Sequence, residues 1–289
     1  MKLPQLISFM FLTTPMSFAN VLPFLSDPQV PLTPPPLSQA PADSRRIILR
    51  SSSQPISGSY PLYDLLSISS ESGSISVDVT PQPASAQDPS HPASLKIRSH
   101  SGSVYATFSE EFLDQLAGGD GLINTAIQPG IPVREYITSV QTRSASISGT
   151  FPLGSYTSLD SQAGSISGID LVVVPTIPAE PRRVKTTSRD GMQSVRVVDD
   201  EFWAASKEAW WEGMVSRHES HSGSINIQYP DSWEGTIEVE TESGSINVTG
   251  RGVEIIRQRQ GKVIARKGRA GGGKVIVRAR SGSVDLRFG

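Results

Sequence analysis

Leu66-Ser67-Ile68-Ser69-Ser70-Glu71-Ser72-Gly73-Ser74-Ile75-Ser76-Val77-Asp78-Val79 is the stretch that decides the fold. Leu66 and Ile68 before the glycine, and Ile75, Val77 and Val79 after it, alternate with serine or aspartate, which is the two-residue period of a β-strand. Between the two runs Ser70 and Ser72 leave little bulk where the chain must turn, and Gly73 admits a positive φ there. The unit is strand, tight corner, strand.

The ten-residue pattern apolar-x-apolar-x-small-x-Ser-Gly-Ser-apolar recurs at residues 95–104, 237–246 and 275–284. Degenerate copies lead to Ile147, Ile166 and Ile225, and one ending at Ile56 carries Gln54 in place of the glycine. Residues 56–76 also match residues 147–167 at 11 of 21 positions without a gap. Together these place corners at Gly58, Gly73, Gly102, Gly149, Gly164, Gly223, Gly244 and Gly282. The fifteen-residue steps from Gly58 to Gly73 and from Gly149 to Gly164 suit one coil or half-coil.

A two-stranded unit cannot bury its apolar side alone, so neighbouring units must stack. The expected fold is therefore all-β, an irregular, parallel β-helix-like solenoid over residues 46–289. An antiparallel β-sandwich is the alternative, because short alternating strands with Gly-rich turns suit it as well. Stacking demands identical corner chemistry at equivalent levels, which a sandwich does not. In a stack the residues two before each corner form an outward row, with 71/100, 143/162 and 221/242 as expected neighbours.

Two segments depart from the repeat and read as short helical insertions. Residues 109–118 have a Ser start, an acidic first turn at Glu110-Glu111 and a Gly stop; residues 200–213 have an Asp start and a Gly end. Ahead of the repeat, Lys2, the apolar run from Leu6 to Leu12 and the Ser17-Phe18-Ala19 site predict a signal peptide over residues 1–19. A short N-terminal anchor is the alternative reading, although Pro4, Pro15 and Thr13-Thr14 interrupt the run needed for a full span. Residues 20–45, with seven prolines up to Pro41, predict a disordered spacer.

The 289 residues carry 26 basic and 28 acidic side chains, a net charge of −2, and no cysteine. That balance gives no electrostatic reason to expect nucleic acid, and membrane association only through the amino terminus. It leaves no thiol nucleophile, thiolate metal site or disulfide. Of the four histidines, His100 and His221 share one repeat position with Glu71, Arg143, Gln162, Glu242 and Arg280. Cations at that level argue against a metal ladder, so no metal and no cofactor is expected. No serine sits in a Gly-x-Ser-x-Gly turn, and Gly271-Gly272-Gly273-Lys274 lacks the spacing of a phosphate loop, reading instead as a hairpin or corner between two strands. Asp199-Asp200-Glu201 reads as a helix cap rather than a catalytic acid cluster. No catalytic residue is assigned.

Trp203, Trp210, Trp211 and Trp233 are all the tryptophans of the chain. Indole faces suit sugar rings and protein partners, and the same residues suit a lid packed on the solenoid. Asn247-Val248-Thr249 is a glycosylation sequon, with Asn247 expected on the outward side of its strand.

The Ser-Gly-Ser-Ile units, Ile147-Ser148-Gly149-Thr150-Phe151, Tyr229-Pro230-Asp231-Ser232-Trp233-Glu234-Gly235 and Ser281-Gly282-Ser283-Val284-Asp285-Leu286 together resemble the families of Ser-Gly-Ser-Ile repeat proteins named adhesins by analogy. The resemblance is to the fungal branch and covers roughly residues 47–289. It implies a β-solenoid and a surface location, and it carries over no catalytic or ligand residues. The expected function is a non-enzymatic secreted or cell-surface module, structural or adhesion-like, whose partner is a wall glycan or surface protein. A cell-wall polysaccharide hydrolase or lyase on a β-helix scaffold is the alternative, and a cytoplasmic scaffold the second.

Overall fold

The computed structural model describes residues 45–108, 131–174, 181–199, 209–269 and 271–289. Within them the chain is all-β, with parallel strands stacked in two sheets as the coils of a β-solenoid. Coils one to four are β1 (Arg46–Ser51) with β2 (Ile56–Leu62), β3 (Leu65–Ser70) with β4 (Ile75–Pro81), β5 (Ala93–Ser99) with β6 (Val104–Phe108), and β7 (Tyr136–Thr142) with β8 (Ile147–Leu153). Coils five to seven are β9 (Tyr156–Ser161) with β10 (Ile166–Val173), β11 (Arg183–Ser188) with β12 (Gln193–Val198), and β13 (Val215–Ser220) with β14 (Ile225–Tyr229). The remainder comprises β15 (Gly235–Ser243), β16 (Ile246–Gly250), the hairpin β17 (Val253–Arg259) and β18 (Lys262–Lys267), β19 (Gly273–Ser281) and β20 (Val284–Phe288).

Through the first seven coils spatial order follows chain order. The last two are exchanged: β19 lies between β13 and β15, and β20 between β14 and β16. The carboxy-terminal coil is thus inserted into the stack, and of the three predicted row neighbours the third is overturned. Successive backbone hydrogen bonds place residue 71 beside 100 and 143 beside 162. Arg280 separates His221 from Glu242, with 3.4 Å to each.

The alternation read from the sequence sets the core. Leu66, Ile68, Ile75, Val77 and Val79 are buried, and in register with them lie Leu95, Ile97, Val104, Ala106 and Phe108 of the next coil. Each fully buried Val, Leu or Ile contributes roughly 1.5–3 kcal/mol of transfer free energy. The rows run the length of the stack.

The corners are fixed by close backbone approach. A Cβ on Gly73 would lie 2.1 Å from the Gln54 carbonyl oxygen, one on Gly102 2.1 Å from that of Gly73, and one on Gly164 2.1 Å from that of Ala145. The series continues through Gly191, Gly223, Gly282 and Gly244. The expected positive φ holds at Gly244 (136°) and Gly282 (128°) but not at Gly73, Gly102, Gly164 or Gly223. At those four glycines the neighbouring carbonyl, not a left-handed backbone, takes the space of a side chain, although Ala145 fills the equivalent corner of its own coil. Inside six of the turns a serine or threonine three residues earlier donates to the corner carbonyl: Ser51 to Gln54 (2.6 Å), Ser99 to Gly102, Thr142 to Ala145 (2.6 Å), Ser161 to Gly164 (2.7 Å), Ser188 to Gly191 (2.5 Å) and Ser220 to Gly223 (2.7 Å); Ser70, before Gly73, has no such partner.

Two assigned corners are corrected. Gly58 and Gly149 lie within β2 and β8, paired with Val77 and Ala106, because their Ile-Ser-Gly triplets align with Ile75-Ser76-Val77 and not with the turn before it. The corners of those coils are Gln54 and Ala145, so the shortest coil runs nineteen residues, from Gln54 to Gly73 and from Ala145 to Gly164, not fifteen. Gly191, in the flank Arg189-Asp190-Gly191-Met192, is an unassigned corner of the same kind.

Residues 109–118 lie outside the described residues, as do 200–208 of the second expected helix; residues 209–213 form a turn. The Gly271-Gly272-Gly273 segment is neither hairpin nor corner. It joins β18 to β19, which flank opposite sides of β15, one antiparallel and one parallel to it.

The corner ladder makes a quantitative prediction. Gly102→Ala drives a methyl into the Gly73 carbonyl and should destabilise by about 1–3 kcal/mol through overpacking. Ser103→Ala, exposed beside it, should stay within about 0.5 kcal/mol. Urea denaturation compares them, and equal midpoints for the two variants would refute the close-approach account.

Candidate functional site

An open trough of about 790 Å³ runs along the outer face of the larger sheet, beside the corners of coils one to five. Two rows of side chains line it. The strand row is Arg50, Ser69, Arg98, Gln141 and Asp160, held in direct register across β1, β3, β5, β7 and β9. The corner row is Ser52, Glu71, His100, Arg143 and Gln162, the positions two before each corner. Four strand spacings of about 4.8 Å make the trough roughly 19 Å long.

Its electrostatics differ from those around β15 and β19 on the same face. Farther along, cations are paired: Lys274 with Glu238 (2.9 Å), Arg280 with Glu242 (3.4 Å), Arg217 with Glu219 (3.8 Å) and Lys262 with Glu240 (3.8 Å). In the trough Arg50, Arg98 and Arg143 are exposed, and among the described residues none has an ion pair or side-chain hydrogen bond. Asp160 is half-buried, and burial pushes its carboxyl up against the opposing pull of Lys185.

The tryptophans do not gather at this trough. Trp233 is fully buried, tilted against Tyr229 and Phe288 with ring centroids 5.4 and 4.9 Å away. Trp210 is also buried, edge-on to the half-buried Trp211. Trp203 lies outside the described residues. A ligand platform built on Trp210 and Trp233 is thereby corrected: their indoles fill the interior at the loop end of the coils and offer no face to a ligand. Asn247 is exposed on β16, outward as expected, and its amide donates to Asp285 (2.9 Å).

A second polar cluster lies inside the solenoid, and the sequence reading had no place for it. Thr186, Gln193, Ser216, His218 and Tyr229 are all fully buried. One order of donation satisfies all the contacts but the 3.1 Å approach of His218 Nε2 to the Tyr229 hydroxyl: Gln193 to the Glu219 carbonyl, Thr186 to Gln193, His218 Nδ1 to Thr186 (2.7 Å), Ser216 to His218 Nε2 (2.8 Å), and Tyr229 to Ser216 (2.6 Å). That order requires the neutral Nδ1–H tautomer. Burial agrees, pushing the imidazole down to about 3 and the Tyr229 phenol up. The Ser216–His218 contact superficially resembles a nucleophile and base, yet neither residue is reachable by substrate.

Buried cations fasten the variable loops opposite the corners. Arg134 donates to the carbonyls of Gln82 (2.9 Å) and His91 (2.6 Å) and to Asp64 (3.1 Å). Burial opposes ionisation of Asp64, but its bonds to Arg45 and Arg134 outweigh that and hold the carboxyl below its ordinary value. Arg182, pushed down to about 10 by burial, caps the carbonyls of Leu153 and Val174. Among the described residues no group of three His, Asp or Glu could hold a metal, and no helix is long and apolar enough to cross a membrane.

Trp233→Ala should cost about 3–5 kcal/mol, the range for truncating a buried large aromatic. A melting temperature near that of the native chain would return this indole to the candidate binding residues. His218 yields a pH prediction. Its folded pKa near 3 lies below the ordinary value of about 6.5. Its contribution is therefore complete above about pH 6.5 and lost as pH falls toward 3, where the unfolded chain binds a proton that the folded chain refuses. His218→Asn should show a shallower fall of melting temperature across that window, and a parallel fall would refute the burial argument. No family model, curated protein or solved structure matches this chain.

Proposed function

We propose that this chain is a non-enzymatic, secreted or cell-surface module of structural, adhesion-like type, which meets its partner along the outer face of the larger sheet. The observation that carries the reading is the register of the coils. From β1 to β13 each strand pairs in parallel with the next, so outward side chains form straight rows about 4.8 Å apart over a filled interior. Such a surface suits an extended partner held by many weak contacts. The apolar run and small-residue site of residues 1–19, and the resemblance to adhesin-named repeat proteins, support a location outside the cytoplasm.

One observation favours polysaccharide cleavage as a second reading. Glu219 and Glu240 line one depression, two strand spacings apart with Arg278 between them, which is about 10 Å and close to the separation used by inverting glycosidases. Each also faces a cation, Arg217 at 3.8 Å and Lys262 at 3.8 Å, an arrangement suited to an ion-pair ladder.

The test expresses the full chain in a secretion-competent host. A mature chain outside the cell beginning near Asn20, releasing no reducing ends from wall polysaccharide, is the expected result. Cytosolic protein beginning at Met1 would favour the scaffold alternative instead. Release of reducing ends that Glu240→Gln abolishes would establish the enzyme.

A further inference from the structure

We propose that the trough over coils one to five is a binding site for an extended acidic polysaccharide, with Arg50, Arg98 and Arg143 holding its anionic groups. The inference rests on the surface-module reading above and gives it a ligand class.

The argument begins with the unpaired guanidiniums. Around β15 and β19 the cations of this face are paired with neighbouring glutamates, whereas these three are exposed without partners among the described residues and lie together in one trough. Arginine presents a planar fork of donors matched to carboxylate or sulfate oxygens, so three free forks along one trough are unused anion sites. Register sets their spacing: Arg50 and Arg98 are two strands apart, about 10 Å, and Arg143 follows in the corner row one coil beyond Arg98. A linear ligand with repeated anionic groups can meet all three.

The rest of the lining selects among anionic polymers. Glu71 and Asp160 stand in the same trough with Gln141, Gln162 and the hydroxyls of Ser52 and Ser69. These groups accept from and donate to sugar hydroxyls. For a nucleic acid, whose backbone carries a charge about every 3.4 Å per strand, the two carboxylates would be repulsive. Among the described residues no Phe, Tyr or Trp lines the trough to stack bases, and His100 is its one aromatic ring. The same lack of aromatic stacking leaves a neutral glycan with weak polar contacts alone, so the anionic groups must supply the affinity.

The test measures binding of the purified full chain to polygalacturonate, to its methyl ester, to a sulfated galactan and to single-stranded DNA. Binding to polygalacturonate or the sulfated galactan, weakened by salt and absent with the methyl ester, is expected; the two acidic arms distinguish carboxylate from sulfate recognition. Arg98→Gln/Arg143→Gln should weaken that binding at least about tenfold, the scale of a lost charge-assisted hydrogen bond, with an unchanged melting temperature. Arg217→Gln, outside the trough, should leave it unchanged. Equal binding of the methyl ester or of DNA, no binding to either acidic glycan, or an unaffected double variant would overturn the proposal. A secreted chain that binds neither glycan refutes this site alone, whereas a cytosolic chain that binds polygalacturonate refutes the surface reading and keeps the site.

Discussion

The structure depends on one contact, the approach of each corner backbone to the carbonyl of the corner beneath it. At Gly73, Gly102 and Gly164 that carbonyl oxygen lies about where a side chain would begin, 2.1 Å from an added Cβ. Coils that stack this tightly cannot vary in length at that point: five positions separate Ser51 from Ile56, Ser70 from Ile75, Ser99 from Val104 and Ser220 from Ile225. Length variation is confined to the opposite end, where the step from one coil to the next is short after Leu62 and Leu153 and long after Pro81, Phe108 and Val198. The two ends therefore solve different problems. Corners are held by buried hydroxyls and missing side chains, loops by buried cations such as Arg134 and Arg182 that gather carbonyls from several segments.

The exchanged order of the last two coils suits their charges, where the corners themselves are too alike to choose. Ser-Gly-Ser occurs at 222–224, 243–245 and 281–283, so chain order and exchanged order offer the backbone the same turn. In chain order β15 would lie on β13, and Glu240 would stand directly beside Glu219. Like charges opposite one another on adjacent strands are unfavourable. Inserting β19 places Arg278 between those glutamates and Arg280 between His221 and Glu242. The exchange also frees the far edge of β15 to pair with β18, so the hairpin can extend the larger sheet.

Much of this was legible in the alternation and the corner motif, which together give strand positions, buried rows and the parallel stack. Where the reading went astray, it followed letters instead of register. Gly58 and Gly149 carry the Ile-Ser-Gly spelling but sit inside strands, and Gly191 is a corner whose flank, Asp190 and Met192, does not spell Ser-Gly-Ser. Ser188 three residues before it, donating to its carbonyl, was the available signal. The tryptophans could not be placed from spacing because whether an indole fills a loop end depends on loops from distant coils. The trough was half visible. Its corner row was read in chain order, but its strand row brings together residues as far apart as Arg50 and Asp160, which share a face through stacking alone.

That origin also determines what kind of site the trough can be. A cleft shaped by loops can change with each insertion, whereas a row set by strand spacing is as rigid as the ladder beneath it. Of its side chains, Ser52, Glu71, His100, Arg143 and Gln162 stand on the corner segments, where coil length does not vary. Substitution at those positions changes chemistry without moving a neighbour, because each points away from the packed interior. The stack thus separates the two demands on the sequence: inward positions and corner glycines must satisfy packing, while the outward rows are free to be shaped by a ligand. Around β15 and β19 that freedom is taken up by ion pairs, whereas Arg50, Arg98 and Arg143 in coils one to five have none among the described residues.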